Sequence, residues 1–536
     1  MKKSEKSFIE LTRRDFLYQS GAGMAGIALF GIPHLSYGAE KKPKYGGRLR
    51  ISERFASSGL DAHKNQYVID YFHYTLMYNA LAIMGPLPDA KMYPDVAKSW
   101  EISKDGREYI FPLREGVKFH HGKELDSGDV KYSIERVLNP ATRSPRAFAF
   151  KWIDSVQASD KYHVKIKLKE PFGPFLTSLT ITTCPIIPAG WKPTPTQPAP
   201  GTGPFKFKSI VPNESTELTR FDQYWEHDEK TGDRLPYLDS IYSKKITDPT
   251  VRWTALRAGD VDYTAGPPSK VVVQELKKPT PGIKVVVAPP LGGSWVHFNC
   301  TKPPFNNKKV RQAIAYAVDK KEMIEAAYWG LAVAVNNQPF VDGQWNHIPA
   351  GKDKEMDLAK AKKLMAEAGY PNGFKTEFLQ YRHVTATNAV EVMMGQLRRI
   401  GIDATMKTVD RAAYWQMMIK GQYDISVLVL SIRLDPDDAF YLTLNSGQIG
   451  KNNWSRYKNP KMDALLESGR THWRWEDRLP IYEKVVEIIK EDVPQLYLFR
   501  YKTALAHRDY LKGFGAACGT WWGYYGGGMK KAWMDK

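Results

Sequence analysis

Cysteine is scarce in this sequence of 536 residues. Only Cys184, Cys300 and Cys518 occur, and they lie far apart along the chain. No Cys-x-x-Cys pair or Cys/His cluster has the spacing of metal ligands, so the pattern excludes a zinc-finger type of protein. At most one disulfide can form, and the sequence does not indicate which pair would form it.

The sequence also lacks the common motifs of enzymes. There is no G-x-S-x-G nucleophile elbow, no H-E-x-x-H zinc motif and no P-loop. Gly201-Thr202-Gly203 has neither a third glycine in register nor a following helix, so it is interpreted as a turn. His120 and His121 are adjacent on an extended segment and point to opposite faces, which makes them poor co-ligands for a metal. We therefore expect no catalytic residue, no metal site and no cofactor.

Charge is unbalanced but not clustered. There are 77 basic and 58 acidic residues, a formal net charge of +19. Basic and acidic residues alternate, as in the stretch KKVRQAIAYAVDKKE, which favours a solvated basic surface over a nucleic-acid module. Nucleic acid is therefore not an expected partner. Aromatic residues are plentiful, with 15 Trp, 29 Tyr and 22 Phe, and several of them could line a binding cleft.

The first 39 residues have the layout of an export signal. A basic start leads to Thr12-Arg13-Arg14-Asp15-Phe16-Leu17, then to a short Gly-rich apolar run, and then to small residues ending at Ala39. This resembles a twin-arginine signal peptide, which implies the twin-arginine export machinery as a partner. No cysteine follows for a lipid anchor, and no other stretch approaches the ~18 apolar residues of a membrane span. We expect a soluble, periplasmic mature protein.

The mature chain is too long for one hydrophobic core and predicts two or three lobes. Short strands dominate residues 93–208, whereas helices and strands alternate over residues 357–430, which is typical of an α/β sheet. Residues 283–288 read as a strand that ends at Pro289-Pro290, a first crossover between lobes. A second crossover is expected near residues 495–500.

A single amphipathic helix is predicted within Pro303–Gly330 at the start of the second lobe. Asn306 or Asn307 supplies the N-cap, and Gly330 is a candidate for the C-terminal glycine. The apolar positions that recur at helical spacing are Val310, Ile314, Ala317, Val318 and Ile324.

Four sequence blocks, in matching order, carry a family resemblance. They are PPFNNKKVRQAIAYAVDK from Pro303, AKSWEISKDGREYIFPLREGVKFHHGK from Ala97, GTGPF from Gly201 and ALRAGDVD from Ala255. Together they resemble the bacterial extracytoplasmic solute-binding proteins of family 5, the peptide/nickel type that serves ABC importers. The resemblance implies an α/β, two-lobed periplasmic-binding-protein fold with an extra inserted subdomain and two crossover hinge segments.

The resemblance also implies a domain layout and a function. The layout is a signal peptide in 1–39, lobe I in 40–82, 200–287 and 495–536, an inserted subdomain in 83–199, and lobe II in 288–494. The implied protein is a monomer and not an enzyme. It captures a peptide or peptide-like solute between its two lobes and delivers it to ABC permease subunits in the membrane. An oligosaccharide, an organic acid or a nickel chelate are alternative ligands, and a secreted hydrolase is the alternative class.

Two positions depart from the pattern of peptide-binding relatives. In those relatives an Asp before a D-P-D segment holds the ligand's amine and an Arg holds its carboxylate; these positions fall at Ile432 and Gln380 here. Arg382 and Arg433 lie close by and could bind a carboxylate or phosphate. Alternatively, Arg382 is solvated and Arg433 pairs with Asp435 or Asp437. The candidate ligand-binding residues are Phe55, Ser57, Tyr381, Arg382, Trp415, Ile432, Arg433, Trp454 and Trp521, the last beside Trp522.

Overall fold

The computed structural model describes most of the chain. The described residues are 8–11, 42–54, 59–64, 68–85, 91–180, 183–194, 197–349, 351, 353–381, 384–430, 435–513 and 528–536. The predicted site residues Phe55, Ser57, Arg382, Ile432, Arg433 and Trp521 lie outside them, as do Trp522 and Cys518.

Strands and helices alternate along the chain. The strands are β1 (Phe8–Leu11), β2 (Arg48–Glu53), β3 (Ala82–Met84), β4 (Met92–Pro94), β5 (Trp100–Ser103), β6 (Glu108–Pro112), β7 (Ile153–Asp160), β8 (His163–Leu168), β9 (Phe205–Val211), β10 (Ser215–Arg220), β11 (Ser240–Lys245), β12 (Tyr263–Ala265), β13 (Ile283–Phe298), β14 (Ala332–Ala334), β15 (Phe374–Tyr381), β16 (Ile402–Val409), β17 (Ile425–Leu430), β18 (Gln495–Arg508), β19 (Leu511–Lys512) and β20 (Trp533–Met534). The α-helices are α1 (Val68–Met77), α2 (Ser127–Leu138), α3 (Ala147–Phe150), α4 (Phe175–Ser178), α5 (Pro249–Ala258), α6 (Ser269–Lys277), α7 (Lys308–Ala317), α8 (Lys320–Tyr328), α9 (Leu358–Glu367), α10 (Val384–Arg398), α11 (Arg411–Lys420), α12 (Leu442–Leu444), α13 (Pro460–Thr471) and α14 (Trp475–Asp492). A π-helical turn, Asp437–Tyr441, precedes α12.

The chain divides into two compact units. Unit 1 contains Met1–Pro268, Gln274–Val286 and Ala504–Lys536, and unit 2 contains Ser269–Val273 and Val287–Thr503. Strands β13 and β18 each run from one unit into the other. The sequence-based domain limits, including the inserted subdomain in 83–199, stay a prediction.

The described residues of unit 1 hold two larger sheets and the two-stranded pairs β3-β4 and β19-β20. The larger has the order β12-β2-β11-β10-β9, with β2 parallel to both neighbours, and the 505–507 part of β18 pairs with β12. The second is an antiparallel sheet with the order β1-β5-β6-β8-β7. In the full chain, Phe8–Leu11 pairs with Trp100–Ser103 at the edge of this sheet. These residues belong to the predicted signal peptide, and they pair here because an unpaired edge strand accepts an added extended segment.

The turn Gly201-Thr202-Gly203 packs tightly in unit 1. A Cβ atom at Gly201 would lie 1.8 Å from the carbonyl oxygen of Met77, so only glycine fits. The part-buried His120 closes the turn: its Nδ1 accepts from the Gly201 N–H at 3.2 Å, and its Nε2 donates to the Gly203 carbonyl at 3.0 Å. Burial lowers the pKa of His120 to about 4, so this histidine is a neutral structural link.

Unit 2 is built on the sheet β16-β15-β17-β13-β18, and β14 pairs with β18. Strands β16, β15 and β17 are parallel, and β13 runs antiparallel to β17. The predicted strand end at Pro289-Pro290 is wrong, because β13 continues to Phe298. Proline lacks an N–H donor but keeps its carbonyl acceptor. Arg500 Nη2 donates to the Pro290 carbonyl at 3.5 Å.

The predicted helix within Pro303–Gly330 is two helices, α7 and α8. Asn307 caps α7 as predicted, since its side chain accepts from the Lys309 N–H. The single helix is a wrong prediction because the Asp319 side chain accepts from Lys321 N and Glu322 N and so starts α8. The apolar face is buried in the core of unit 2 and includes Val310, Ala313, Ile314 and Ala317.

Cys184 and Cys300 are both free thiols. None of the helices in the described part of the chain combines the length and the apolar content needed to span a membrane.

Candidate ligand-binding site

Unit 2 has a strand order that creates a binding position. The helix after β15 leads to β16 on one side, and the helix after β16 returns to β17 on the other side of β15. Ligands of open α/β sheets bind at the carboxyl ends of strands where the order reverses in this way. Here those ends are Tyr381 and Leu430. The predicted site residues Arg382, Ile432 and Arg433 follow these ends directly in sequence.

Gln380, which the family resemblance aligns with a carboxylate-binding arginine, lies in β15. It is fully buried, and its Nε2 donates to the Val427 carbonyl of the neighbouring strand at 3.0 Å. Its Oε1 is buried and receives no hydrogen bond from the described residues. Gln380 therefore links β15 to β17 and leaves one hydrogen-bond acceptor unused. An arginine side chain would instead offer only donors and a positive charge.

Five ring side chains form what we name the aromatic row: Tyr381, Tyr414, Trp415, Trp454 and His297. Successive ring centroids lie 5.0 Å apart for Tyr381 and Tyr414, 5.3 Å for Tyr414 and Trp415, 5.4 Å for Trp415 and Trp454, and 5.4 Å for Trp454 and His297. These are the spacings of tilted and edge-to-face aromatic pairs. The structure thus brings three predicted site residues, Tyr381, Trp415 and Trp454, into one array.

The row is held by buried hydrogen bonds. Tyr414 Oη and Ser426 Oγ are 2.8 Å apart, and Ser426 Oγ donates to the Leu379 carbonyl at 2.8 Å. Tyr423 donates its hydroxyl to the Trp454 carbonyl. Burial raises the pKa of Tyr414 far above its usual value, so its hydroxyl is neutral at ordinary pH. The rings are consequently fixed before any ligand arrives, which reduces the entropy cost of binding.

Exposure separates the members of the row. Trp454 is only 7% exposed, whereas Trp415 and Tyr381 are partly exposed. Trp415 lies in α11, whose N-cap Asp410 follows β16 directly. Trp454 therefore supports the ring of Trp415, and Trp415 and Tyr381 are the members able to offer surface to a ligand.

Two buried ion pairs fix the segment that follows the 431–434 stretch. Arg478 donates to both oxygens of Asp435, at 2.9 Å and 2.5 Å, and Arg470 donates to Asp437 at 3.0 Å. Asp435 also accepts from the Asp437 N–H at 2.9 Å, at the start of the π-helical turn. The suggested partners of Arg433 are thus engaged with other arginines.

Unit 1 has its own carboxyl edge. Strands β11, β2 and β12 are parallel, and the connection through α5 passes from β11 to β12 across β2. Glu53 is the last residue of β2 and is 7% exposed. Burial raises its pKa to about 8, although Arg252 opposes this. Sequence reasoning missed Glu53, for which the only signal was an acidic residue at the end of a buried strand.

Side chains that ligate metals do not cluster in the described ranges, which hold no group of three or more His, Cys, Asp or Glu residues arranged around a metal ion. His297, a further residue that sequence reasoning missed, hydrogen-bonds through Nδ1 with Ser455 Oγ at 3.2 Å. Its imidazole packs against Trp454 at the end of the aromatic row.

Comparison with known proteins decides the family. The model described as "Bacterial extracellular solute-binding proteins, family 5 Middle" matches residues 91–452, well over half of the chain. The chain belongs to this family. It is therefore a solute-binding protein of the ABC-importer type, with the two-lobed periplasmic-binding-protein fold of its structural relatives.

Three relatives illustrate the breadth of the family. Heme-binding protein A of Haemophilus influenzae is 32% identical over 433 residues, which cover 75% of this chain and 77% of that protein. The glutathione-binding protein GsiB of Pectobacterium atrosepticum is 30% identical over 460 residues, covering 80% and 84%. The structure of DppA from Helicobacter pylori in complex with the peptide STSA superposes with a TM-score of 0.76 at 27% identity, covering 92% and 99%.

Proposed function

We propose that this solute-binding protein captures a peptide or peptide-like small solute and delivers it to the membrane permease of an ABC importer. The observation that carries the proposal is the pair of partly exposed rings, Tyr381 and Trp415, at the carboxyl edge of β15 and β17. Fixed aromatic surfaces next to strand ends suit an extended backbone with varied side chains. The likeness to a peptide-bound DppA supports the same ligand class.

The residues proposed to contact the ligand are the candidates named from the sequence. In unit 2 they are Tyr381, Arg382, Trp415, Ile432, Arg433 and the supporting Trp454. In unit 1 they are Phe55, Ser57 and Trp521. A free carboxylate of the ligand would be bound by Arg382 or Arg433, since the guanidinium group matches a carboxylate with two parallel hydrogen bonds.

The inferred mechanism is capture rather than catalysis. The ligand stabilises the conformation that the permease recognises, and the size of that shift is set by the ligand's differential affinity for the two conformations. The rival, a secreted hydrolase, would need an activated nucleophile. Burial instead raises the pKa of the Cys184 and Cys300 thiols to about 12 and about 11, which makes both poor nucleophiles.

We infer that residues 1–39 are a twin-arginine signal peptide and that the mature chain is a soluble periplasmic monomer without a lipid anchor. The support is the Arg13-Arg14 pair, the apolar run after it and the small residues before Ala39. Amino-terminal sequencing of the protein from the periplasmic fraction tests this. A mature terminus near residue 40 is expected, and an intact Met1 would contradict it.

Gln380 and Ile432 differ from the residues expected in peptide-binding relatives, so other ligand classes are alternatives to a peptide. Glutathione is peptide-like and falls within the proposal, whereas heme, an oligosaccharide, an organic acid or a nickel chelate would not. Native mass spectrometry of the protein purified from its own host separates these outcomes. A ladder of bound peptide masses supports the proposal, and a single sugar, acid, porphyrin or chelate mass overturns it.

A further inference from the structure

Glu53 stands apart from the other charged residues of unit 1. It ends the central strand of three parallel strands, at the edge where α/β sheets bind ligands. Its backbone carbonyl accepts from the Ile246 N–H at 2.8 Å, which locks the strand end in place. Its side chain is withdrawn from solvent, since only 7% of the residue is exposed.

No described residue donates a hydrogen bond to the Glu53 carboxyl group or forms an ion pair with it. The nearest interacting cation is Arg252, itself only 2% exposed. The guanidinium of Arg252 is already committed to backbone carbonyls: Ile246 and Thr247, both at 2.8 Å, and Gly266 at 3.1 Å. Arg252 therefore stabilises the turn before α5 and attracts Glu53 only from a distance.

A carboxyl group that is withdrawn from solvent and lacks a partner among the described residues is costly to ionise. The ionised form loses most of its hydration, and no described donor replaces it. In the folded chain burial raises the pKa of Glu53 to about 8, so the neutral form dominates at pH 7. Groups kept in this condition at a strand edge are candidates for direct ligand contact.

We propose that Glu53 binds the ammonium group of the ligand as its carboxylate counter-ion. The inference rests on the proposed function, because peptides carry a free amino terminus. On binding, the O–H bond of Glu53 breaks and its proton passes to solvent, while the ligand ammonium keeps its protons and donates to the carboxylate. One proton is released for each ligand bound below about pH 8, and no covalent bond forms.

An ammonium group fits this position better than an anionic group. A carboxylate has about four lone-pair sites and an ammonium three donors, so the two satisfy each other. An anionic group would receive one O–H donor from a Glu53 that must stay protonated. The tied guanidinium of Arg252 could add only its Nε–H, which has no acceptor among the described residues.

The test uses the full chain and a synthetic pool of di- to hexapeptides, half with free amino termini and half N-acetylated. Native mass spectrometry measures which members bind. The wild type should prefer free amines by about tenfold or more, since charge-assisted hydrogen bonds exceed neutral ones by that margin. Glu53→Gln should lose the preference, and Glu53→Asp, which keeps the charge, should retain part of it. Glu214→Gln, an exposed glutamate of unit 1, is the matched control and should behave as the wild type.

The pH dependence gives a second readout. Affinity of the wild type for free-amine peptides should rise by about tenfold or more between about pH 6 and about pH 8, because the cost of deprotonating Glu53 disappears over that range. It should fall again above about pH 8 as peptide amines lose their charge. Glu53→Gln should lack the rising limb. The charged groups near Glu53 do not titrate there: Arg252 and Arg54 stay protonated, and burial keeps Tyr263 neutral.

The outcomes separate a failure of the Glu53 role from a failure of the proposed peptide function. Peptides that bind the wild type and Glu53→Gln with equal preference for free amines would overturn the role of Glu53 and leave the peptide function intact. A wild type that prefers acetylated peptides would also overturn it. A wild type that binds no member of the pool would overturn the proposed function and, with it, this inference.

Discussion

Trp415 combines partial exposure with a fixed position in unit 2. Its ring is held between Tyr414 at 5.3 Å and Trp454 at 5.4 Å. A ring fixed in this way presents a rigid surface at low entropy cost. A residue with these properties should matter for binding and only modestly for folding.

Trp415→Ala should therefore weaken ligand binding by about tenfold or more, since a central aromatic contact contributes ~2 kcal/mol or more to an interface. Titration calorimetry with the peptide pool measures this. Trp329→Ala is the matched control in unit 2, because Trp329 is 49% exposed and is not part of the aromatic row. Equal affinity of Trp415→Ala and the wild type would remove Trp415 from the site.

Glu53 should make stability depend on pH without any ligand. Its pKa is about 8 in the folded chain against 4.5 when unfolded, so the folded state binds the extra proton between these values. The free energy of unfolding must then decrease as pH rises through that window and level off above it. Over the whole window the decrease amounts to ~5 kcal/mol, because each tenfold difference in proton affinity between the folded and unfolded chain corresponds to ~1.4 kcal/mol.

Denaturant unfolding at about pH 5 and about pH 8 checks this. Glu53→Gln should show a smaller loss of stability between the two pH values than the wild type, and Glu214→Gln should match the wild type. The same loss in Glu53→Gln and wild type would mean that Glu53 is ionised in the folded chain.

The role of a single residue could be predicted from sequence where its residue type has one common structural use. It could not be predicted where the role depends on how deeply the side chain is buried. The cap Asn307 and the turn glycine Gly201 were predictable, because their backbone geometry admits few alternatives. The unusual states of Gln380 and Glu53 were not, since each depends on which neighbouring strands cover the side chain. A sequence pattern of period two does not distinguish a strand end with a satisfied carboxyl from one without a partner.

Among the elements, the π-helical turn Asp437–Tyr441 depends on charges that lie far away in sequence. Arg478 of α14 binds Asp435 through both oxygens and is only 2% exposed. It also donates to the Gly469 carbonyl at 2.9 Å. Removing one member of such a pair leaves the other as an uncompensated buried charge.

Asp435→Asn should thus destabilise unit 2 by ~3–5 kcal/mol. Chemical denaturation measures the change. The double variant Asp435→Asn with Arg478→Met should recover part of the loss, because it removes the uncompensated charge. Asp477→Asn, which breaks the exposed Arg474–Asp477 pair, should cost less than ~1 kcal/mol. A similar small cost for Asp435→Asn would show that the buried pair does not hold the turn.

The limits of helices and strands could likewise be predicted where local sequence sets them, and not where tertiary contacts do. Strand β15 (Phe374–Tyr381) lies in the range 357–430, where alternating helices and strands were predicted, and glycine and proline punctuate the sequence before it. A single helix was predicted within Pro303–Gly330, because the apolar residues keep helical spacing through Val318. In the structure Asp319 caps a second helix at this point. Strand β13 was predicted to end at Pro289-Pro290, because two prolines favour a break. Pairing with the neighbouring strands extends it to Phe298.

For the whole molecule, the order of the sequence blocks was enough to predict the two-lobed fold and the family, which the comparisons confirm. The blocks that identify the family lie in caps, turns and buried strands, whose residues are constrained by folding. In the proposed site the ligand contacts are side chains at strand ends, which folding leaves free to vary. The departures that the sequence predicts at Gln380 and Ile432 are therefore compatible with the same fold.

As proposed, the chain binds a peptide-class solute and releases it unaltered. Titration calorimetry of the purified full chain with the di- to hexapeptide pool, followed by mass spectrometry of the recovered peptides, tests it directly. We expect saturable binding of one peptide per chain and recovery of every peptide at its original mass. Peptide fragments after incubation would contradict the capture mechanism, and absence of peptide binding beside saturable binding of a sugar, an organic acid or a nickel chelate would contradict the ligand class.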